Sequence, residues 1–237
     1  MPYKINFNDS TYMTAPTLGD LVSAASSVVK IKIVSDYIFW AEEDGYWFSQ
    51  AESNADSREI GIFRQSGNLG LYVGGGENYI GSVSTIFGSS IIDGSLQIEI
   101  DIASSTYSLE YNGSVVKSGS FSSVGSRTNN VLFRIGARSD ISAAPNNTGS
   151  FILQQDEQIG DTRVYLDVGA GYVLERDYVI PSTGTTIPDD ENFQDGTMRG
   201  TFSDAQLIFY SLPATTPINP SITNLLATSA RLNWEQG

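Results

Sequence analysis

Leu96-Gln97-Ile98-Glu99-Ile100-Asp101-Ile102 alternates apolar and polar side chains without a break. Successive side chains of an extended chain point to opposite faces. The aliphatic residues therefore share one face, and Gln97, Glu99 and Asp101 share the other. That is the pattern of a half-buried strand. Val29-Lys30-Ile31-Lys32-Ile33 repeats it with lysines on the polar side. Further strand-like runs fall at 5–7, 37–40, 46–49, 59–64, 69–73, 107–111, 131–135, 163–167, 172–178 and 206–210.

The joints between these runs are turn-formers. Asn112-Gly113 links 107–111 to 115–119 and predicts a tight hairpin, because both central residues of such a turn need positive φ. Asp44-Gly45, Ser66-Gly67-Asn68 and Gly74-Gly75-Gly76 mark other bends. Residues 17–27 predict the one short helix, with Thr17 as its N-cap. Residues 139–149 and 181–200 break the alternation and are expected to be rim loops, the longer one covering something or carrying function. Many short strands with Gly/Ser turns predict an all-β chain, an antiparallel β-sandwich. A chain of 237 residues in one such domain buries roughly 70–75% of its unfolded surface, so it needs no cross-links.

Composition excludes whole classes of chemistry. There is no cysteine, which removes disulfides, thiol nucleophiles and thiolate metal sites. There is no histidine, which removes imidazole general bases and the serine triad. A net charge of −14, from 27 acidic and 13 basic residues, repels phosphate backbones and anionic lipid. Neither nucleic-acid binding nor membrane insertion is expected. No run of about 18 apolar residues occurs, and Met1-Pro2-Tyr3-Lys4 leads straight into a strand-like run. The expectation is assembly in the cytoplasm without a signal peptide.

Two resemblances add to this reading. Leu96 to Arg138 carries Tyr107-x-Leu109-x-Tyr111, Asn112-Gly113 and Ile135-Gly136-Ala137-Arg138. In this it resembles the hairpin and following strand of concanavalin A-like (laminin G-like) jelly rolls. Val164-Tyr165-Leu166 with Leu174-Glu175-Arg176-Asp177-Tyr178-Val179-Ile180-Pro181 is similar to a segment of such domains in phage tail and virion proteins. Pro220-Ser221, Leu225, Ala230-x-Leu232-x-Trp234 and Glu235 resemble the opening of a fibronectin type III domain. The expected organisation is a jelly roll over 1–212, a proline-stiffened linker over 213–221, and the first strands of an incomplete second domain, a short C-terminal β extension, over 222–237. The resemblance implies a virion or extracellular-surface location. It implies partners among other virion or surface subunits, in a homo-oligomer, with host-surface polysaccharide as a further partner.

Three constellations compete for function. Glycoside hydrolases of the concanavalin A-like fold place Glu-x-Asp-x-x-Glu on one strand, and retaining enzymes hold their two carboxyls roughly 5–5.5 Å apart. Glu99 and Asp101 match, but Ser104 stands where the acid/base should be, and a hydroxyl does not protonate a leaving group at neutral pH. Trp40, Asp44, Tyr46 and Trp47 crowd one aromatic stretch, where exposed rings would stack on sugars and carboxylates would bind hydroxyls. Neighbouring rings alternate in face, so Trp40 and Trp47 are not both assigned to the core. Asp189, Asp190, Glu191 and Asp195 offer hard oxygen ligands, and calcium is the weaker alternative to no cofactor at all. The reading is a non-enzymatic adhesion or decoration protein that binds glycan through Trp40, Asp44, Tyr46, Trp47, Glu99 and Asp101. A glycoside hydrolase or polysaccharide lyase is the rival, and a purely architectural subunit without ligand is the third reading.

Overall fold

The structure, a computed structural model, describes residues 3–8, 11–22, 26–41, 44–51, 58–122, 132–137, 157–200 and 202–209. The stretch expected to form the linker and fibronectin-like extension, 213–237, and the expected rim loop 139–149 lie outside the described residues.

The strands are β1 (Tyr3–Asn6), β2 (Tyr12–Ala15), β3 (Lys30–Trp40), β4 (Gly45–Ala51), β5 (Arg58–Gln65), β6 (Asn68–Val73), β7 (Gly76–Ser82), β8 (Ile92–Asp101), β9 (Thr106–Tyr111), β10 (Ser114–Ser120), β11 (Phe133–Ile135), β12 (Gln158–Ile159), β13 (Thr162–Asp167), β14 (Tyr172–Tyr178), β15 (Thr186–Ile187), β16 (Gly196–Arg199) and β17 (Leu207–Phe209). They form two antiparallel sheets, a β-sandwich jelly roll. The first runs β10-β9-β8-β3-β12-β1-β17, with β13 also on β3 and β14 beyond β13. The second runs β15-β16-β2-β11-β4-β5-β6-β7. At 11 residues, β3 is long enough to share one edge between two neighbours. Its Lys30–Ser35 half pairs with β13 and its Ile38–Phe39 step with β12.

The alternating stretches meet as complementary partners. Ile31 faces Ile100 and Ile33 faces Ile98 across β3 and β8, while Lys30 faces Asp101 and Lys32 faces Glu99 on the other side. The isoleucines are fully buried, each contributing about 1.5–3 kcal/mol by leaving water. From the second sheet Ile60, Ile62, Leu69, Leu71 and Val73 close the same core. Asn112 and Gly113 turn β9 into β10 with φ of 49° and 75°, as the hairpin requires.

Three expectations are corrected. No helix forms in the described parts of 17–27; Thr17 accepts the N–H of Gly19 in a local turn. The helix α1 (Val83–Phe87) lies elsewhere, capped by Ser82, which accepts Thr85 N–H, and ended by Gly88 at φ 70°. The long loop 181–200 holds two short strands, β15 and β16, of the second sheet. Finally, Trp40 and Trp47 are both core residues with no exposed surface. The reason is a β-bulge. Opposite β5, Tyr46 pairs with Phe63 and Phe48 with Ile62, leaving Trp47 as the extra residue. Alternation slips by one there, so Trp47 and Phe48 both enter the core. Tyr46 stays on the outer face, in a buried aromatic plate with Phe63 and Tyr72. Gly70 lies directly beneath the Phe63 ring, where any Cβ would overlap it.

Candidate functional site

The outer face of the first sheet carries two cross-strand rungs of mostly polar side chains. Register fixes them, since paired residues project to the same side. One rung runs Leu174–Tyr165–Lys32–Glu99–Ser108–Ser118 from β14 to β10. The next runs Tyr172–Asp167–Lys30–Asp101–Thr106–Ser120. The first goes from Leu174 and Tyr165, and the second from Tyr172, through opposed charges to a hydroxyl end. A second bulge makes the aromatic end possible. Val164 pairs with Arg176 but Tyr165 with Leu174, so Glu175 is the extra residue of β14. Arg176 and Tyr178 face inward, and the bulge turns Leu174 and Tyr172 out.

The charges are matched locally. Lys30 Nζ lies 3.2 Å from Asp101 Oδ2 and 3.9 Å from Glu99 Oε1. Lys32 Nζ sits 4.5 Å from the ring centres of both Tyr165 and Tyr172, a cation held between two π faces. Asp101 also closes the β8–β9 turn, its Oδ1 accepting Ser104 N–H at 2.8 Å. That backbone N–H, followed by the Lys30 hydrogen bond, holds its carboxyl below the usual range against the opposing effect of desolvation. In return the Asp101 hydrogen bond raises Lys30. Asp167 closes the β13–β14 turn, accepting Gly169 N–H at 2.7 Å and Gly171 N–H at 3.0 Å. Burial, then the Glu99 carboxylate beside it, push the Tyr172 hydroxyl above its ordinary value.

On the β8–β10 side Glu99, Asp101, Thr106, Tyr107, Ser108, Ser118 and Gly119 line an open groove of about 430 Å³. Glu99 and Asp101, two of the six residues expected to bind glycan, are thus brought together. The other four are not. Trp40 is sealed in the core, its carbonyl accepting Arg64 Nη1–H at 3.1 Å. Trp47 and Tyr46 are buried and offer no ring face to a ligand. Asp44 accepts Ser66 N–H at 3.0 Å on the second sheet. Ser104 is a turn residue, its Oγ 2.8 Å from Thr106 Oγ1.

The acidic loop also has a defined task. Asp189 is buried, and its carboxylate accepts the backbone N–H of Asp177, Glu191 and Gln194 while lying 3.7 Å from Arg176 Nε. Asp195 accepts Asp189 N–H at 3.0 Å. Asp190 and Glu191 point to solvent. Among the described residues, no three acidic side chains gather in a metal-binding arrangement. Nor is any described helix long and apolar enough to cross a membrane.

The sequence reading missed Lys30, Lys32, Tyr165, Tyr172, Ser108 and Ser118 as site residues. The lysines carried a signal, since they are the polar face of an alternating strand; their aromatic and acidic partners depend on which strands pair.

No protein-family model matches the chain, and no curated protein matches it in sequence. Solved structures do resemble it. A candidate carbohydrate-binding protein from Bacteroides ovatus superposes with a TM-score of 0.52 at 9% identity, over 84% of this chain and 58% of that one. The chain therefore spans little more than half the length of that protein. A heptameric SAP-like pentraxin from Limulus polyphemus gives 0.46 at 17% identity, over 69% and 75% of the two chains. Domains LG4-5 of mouse laminin α1 give 0.45 at 13%, over 77% and 48%. At these identities the first likeness is one of fold, the β-sandwich jelly roll.

Proposed function

We propose that this chain is a non-catalytic glycan-binding module, serving adhesion or decoration on a virion or other surface, and that it binds on the outer face of the first sheet. The observation that carries this is the pair of adjacent rungs, in which aromatic faces, matched charges and hydroxyls succeed one another beside an open groove. A sugar presents the complement: hydroxyls that both donate and accept, and a C–H face that packs on aromatic rings. Fold likeness to a candidate carbohydrate-binding protein is in keeping with it. The resemblance of 164–181 to phage tail and virion domains supports the surface setting.

The same geometry argues against hydrolysis. A general acid needs a raised pKa, whereas Asp101 is held low by a turn N–H and a lysine. The third carboxyl of the hydrolase pattern is replaced by the hydroxyl of Ser104.

A glycan array followed by titration tests the proposal. Ser118→Trp, at an exposed position on β10, should fill the groove and abolish binding with an unchanged melting temperature. Lys32→Ala should weaken binding roughly tenfold, the loss of one hydrogen bond to a charged group. Wild-type silence across the array, or binding indifferent to both substitutions, refutes the site. Steady release of sugar that stops on Glu99→Gln would restore the hydrolase.

A further inference from the structure

We propose that Phe193 is a second contact point for the same ligand, stacking on a pyranose ring of a neutral glycan beyond the β14 edge; this rests on the glycan reading above. Phe193 combines two features that rarely coincide. It is 84% exposed, and its backbone is left-handed at φ 55°, a region in which a bulky residue is a genuine outlier. An exposed phenyl in a costly conformation contributes nothing to the core, and such outliers cluster where structure serves binding.

The surrounding loop is built to hold it. Residues 188–190 pair with 177–179 at the end of β14, and 190–192 then turn. Val179 N–H donates to Pro188 O at 3.0 Å, Asp190 N–H to Asp177 O at 3.0 Å, and Asn192 Nδ2 to Glu175 O at 2.6 Å. Tyr178 and Asp189 form an isolated antiparallel bridge. The buried Asp189 then ties the turn together from inside, and Phe193 N–H donates back to Asp189 O at 3.3 Å. A ring carried on a braced turn loses little freedom on binding, which is how preorganised anchors gain affinity.

The position fits the ligand. Tyr172 and Leu174, the aromatic-side ends of the two rungs, stand on β14. The Asn192 amide on Glu175 O brings the turn back beside Leu174, and the paired residues 188–190 lie roughly one strand spacing, about 4.8 Å, outside the far end of β14. That interval is close to the advance of one sugar residue along an extended chain. A glycan crossing the strands from Ser118 toward Tyr172 therefore reaches Phe193 only if it is long enough. Exposed Glu191 and Gln194 are close to Phe193 in sequence and suit hydroxyls. The acidic surroundings, in a chain of net charge −14, repel uronates and sulfated sugars.

The test is an array of neutral linear glycans in short and long members, read with wild type, Phe193→Asn, Phe193→Trp and Ser118→Trp. Asparagine tolerates left-handed backbone, so Phe193→Asn should melt at the wild-type temperature or above. It should bind long members roughly three- to tenfold more weakly, with short members unchanged. Phe193→Trp should restore the long-chain affinity. If Phe193→Asn leaves long-chain binding intact while Ser118→Trp abolishes it, the groove stands and Phe193 is not a contact. A lowered melting temperature in Phe193→Asn would make the ring structural and also end the proposal. Wild-type silence, or indifference to both Ser118→Trp and Phe193→Asn, sinks groove and contact together.

Discussion

The indole N–H of Trp47 in the second sheet donates to Ser35 Oγ in the first, 2.9 Å away, through the middle of the sandwich. Ser35 Oγ lies 2.7 Å from Thr162 Oγ1, which donates to Gly160 O at 3.2 Å. Read from the indole, every hydroxyl in this chain both accepts and donates. Ser35 and Thr162 are buried, as is Trp47, so each group depends on the others for its hydrogen bond.

Breaking that chain should cost stability and leave recognition alone. Ser35→Ala strands the Trp47 N–H and should lower unfolding free energy by about 1–3 kcal/mol. Trp47→Ala also opens a cavity and should cost about 3–5 kcal/mol. Urea denaturation measures both. Glycan affinity per folded molecule should stay at the wild-type value, because Trp47 never meets the surface.

Glu59 gives the fold a pH dependence. It is fully buried, accepts Leu21 N–H at 3.3 Å, and receives a hydrogen bond from Gln50. Gln50 in turn accepts Leu18 N–H and donates to Gly19 O, each at 2.7 Å, so the pair staples the segment 18–21 to β4 and β5. Burial pushes the Glu59 carboxyl from 4.5 up to about 7, despite these donors. The folded protein therefore keeps a proton that the unfolded chain releases. Stability from this group is complete below pH 4.5 and is lost as pH rises through about 7. Melting temperature should fall over that window, by the equivalent of roughly 3 kcal/mol at most, and Glu59→Gln should flatten the slope. An identical slope in the variant would remove Glu59 as its source.

Asp189 should behave as a structural anion. Its removal leaves the buried guanidinium of Arg176 with Glu175 as its remaining ion-pair partner and frees the backbone donors of the turn. Asp189→Ala should destabilise by about 3–5 kcal/mol, and the exposed Phe193 should lose its fixed position. Because the Asp189 oxygens already accept three N–H groups, added calcium should leave the wild-type melting temperature unmoved; a rise abolished by Asp189→Asn would show a metal there.

The strands were legible because period-two alternation is a local property. Leu96–Ile102 and Val29–Ile33 declared which face was apolar, and their pairing followed the sheet they built. Errors in the face a side chain takes arose where a single extra residue changed the parity. At Trp47 a bulge carried a ring inward that alternation would have shared between faces. At Glu175 a bulge carried Tyr172 and Leu174 outward, away from the side taken by Arg176 and Tyr178. Nothing local distinguishes such a residue from its neighbours, since a bulge is defined by the partner strand. For the same reason Glu99 and Asp101 could be named as surface carboxylates, whereas Lys32 between Tyr165 and Tyr172 could not be foreseen. The exposure of Phe193 was hidden more deeply, because the turn that carries it is braced by Asp189, which bridges to Tyr178 of β14.

Lys30, poised between Glu99 and Asp101, has an environmental consequence. The Lys30 ammonium offsets one of the two carboxylate charges beside it, and an uncharged sugar brings no long-range field of its own for dissolved ions to quench. On the glycan reading proposed above, this face should grip its target as firmly in brine as in fresh water, although the molecule as a whole is strongly anionic.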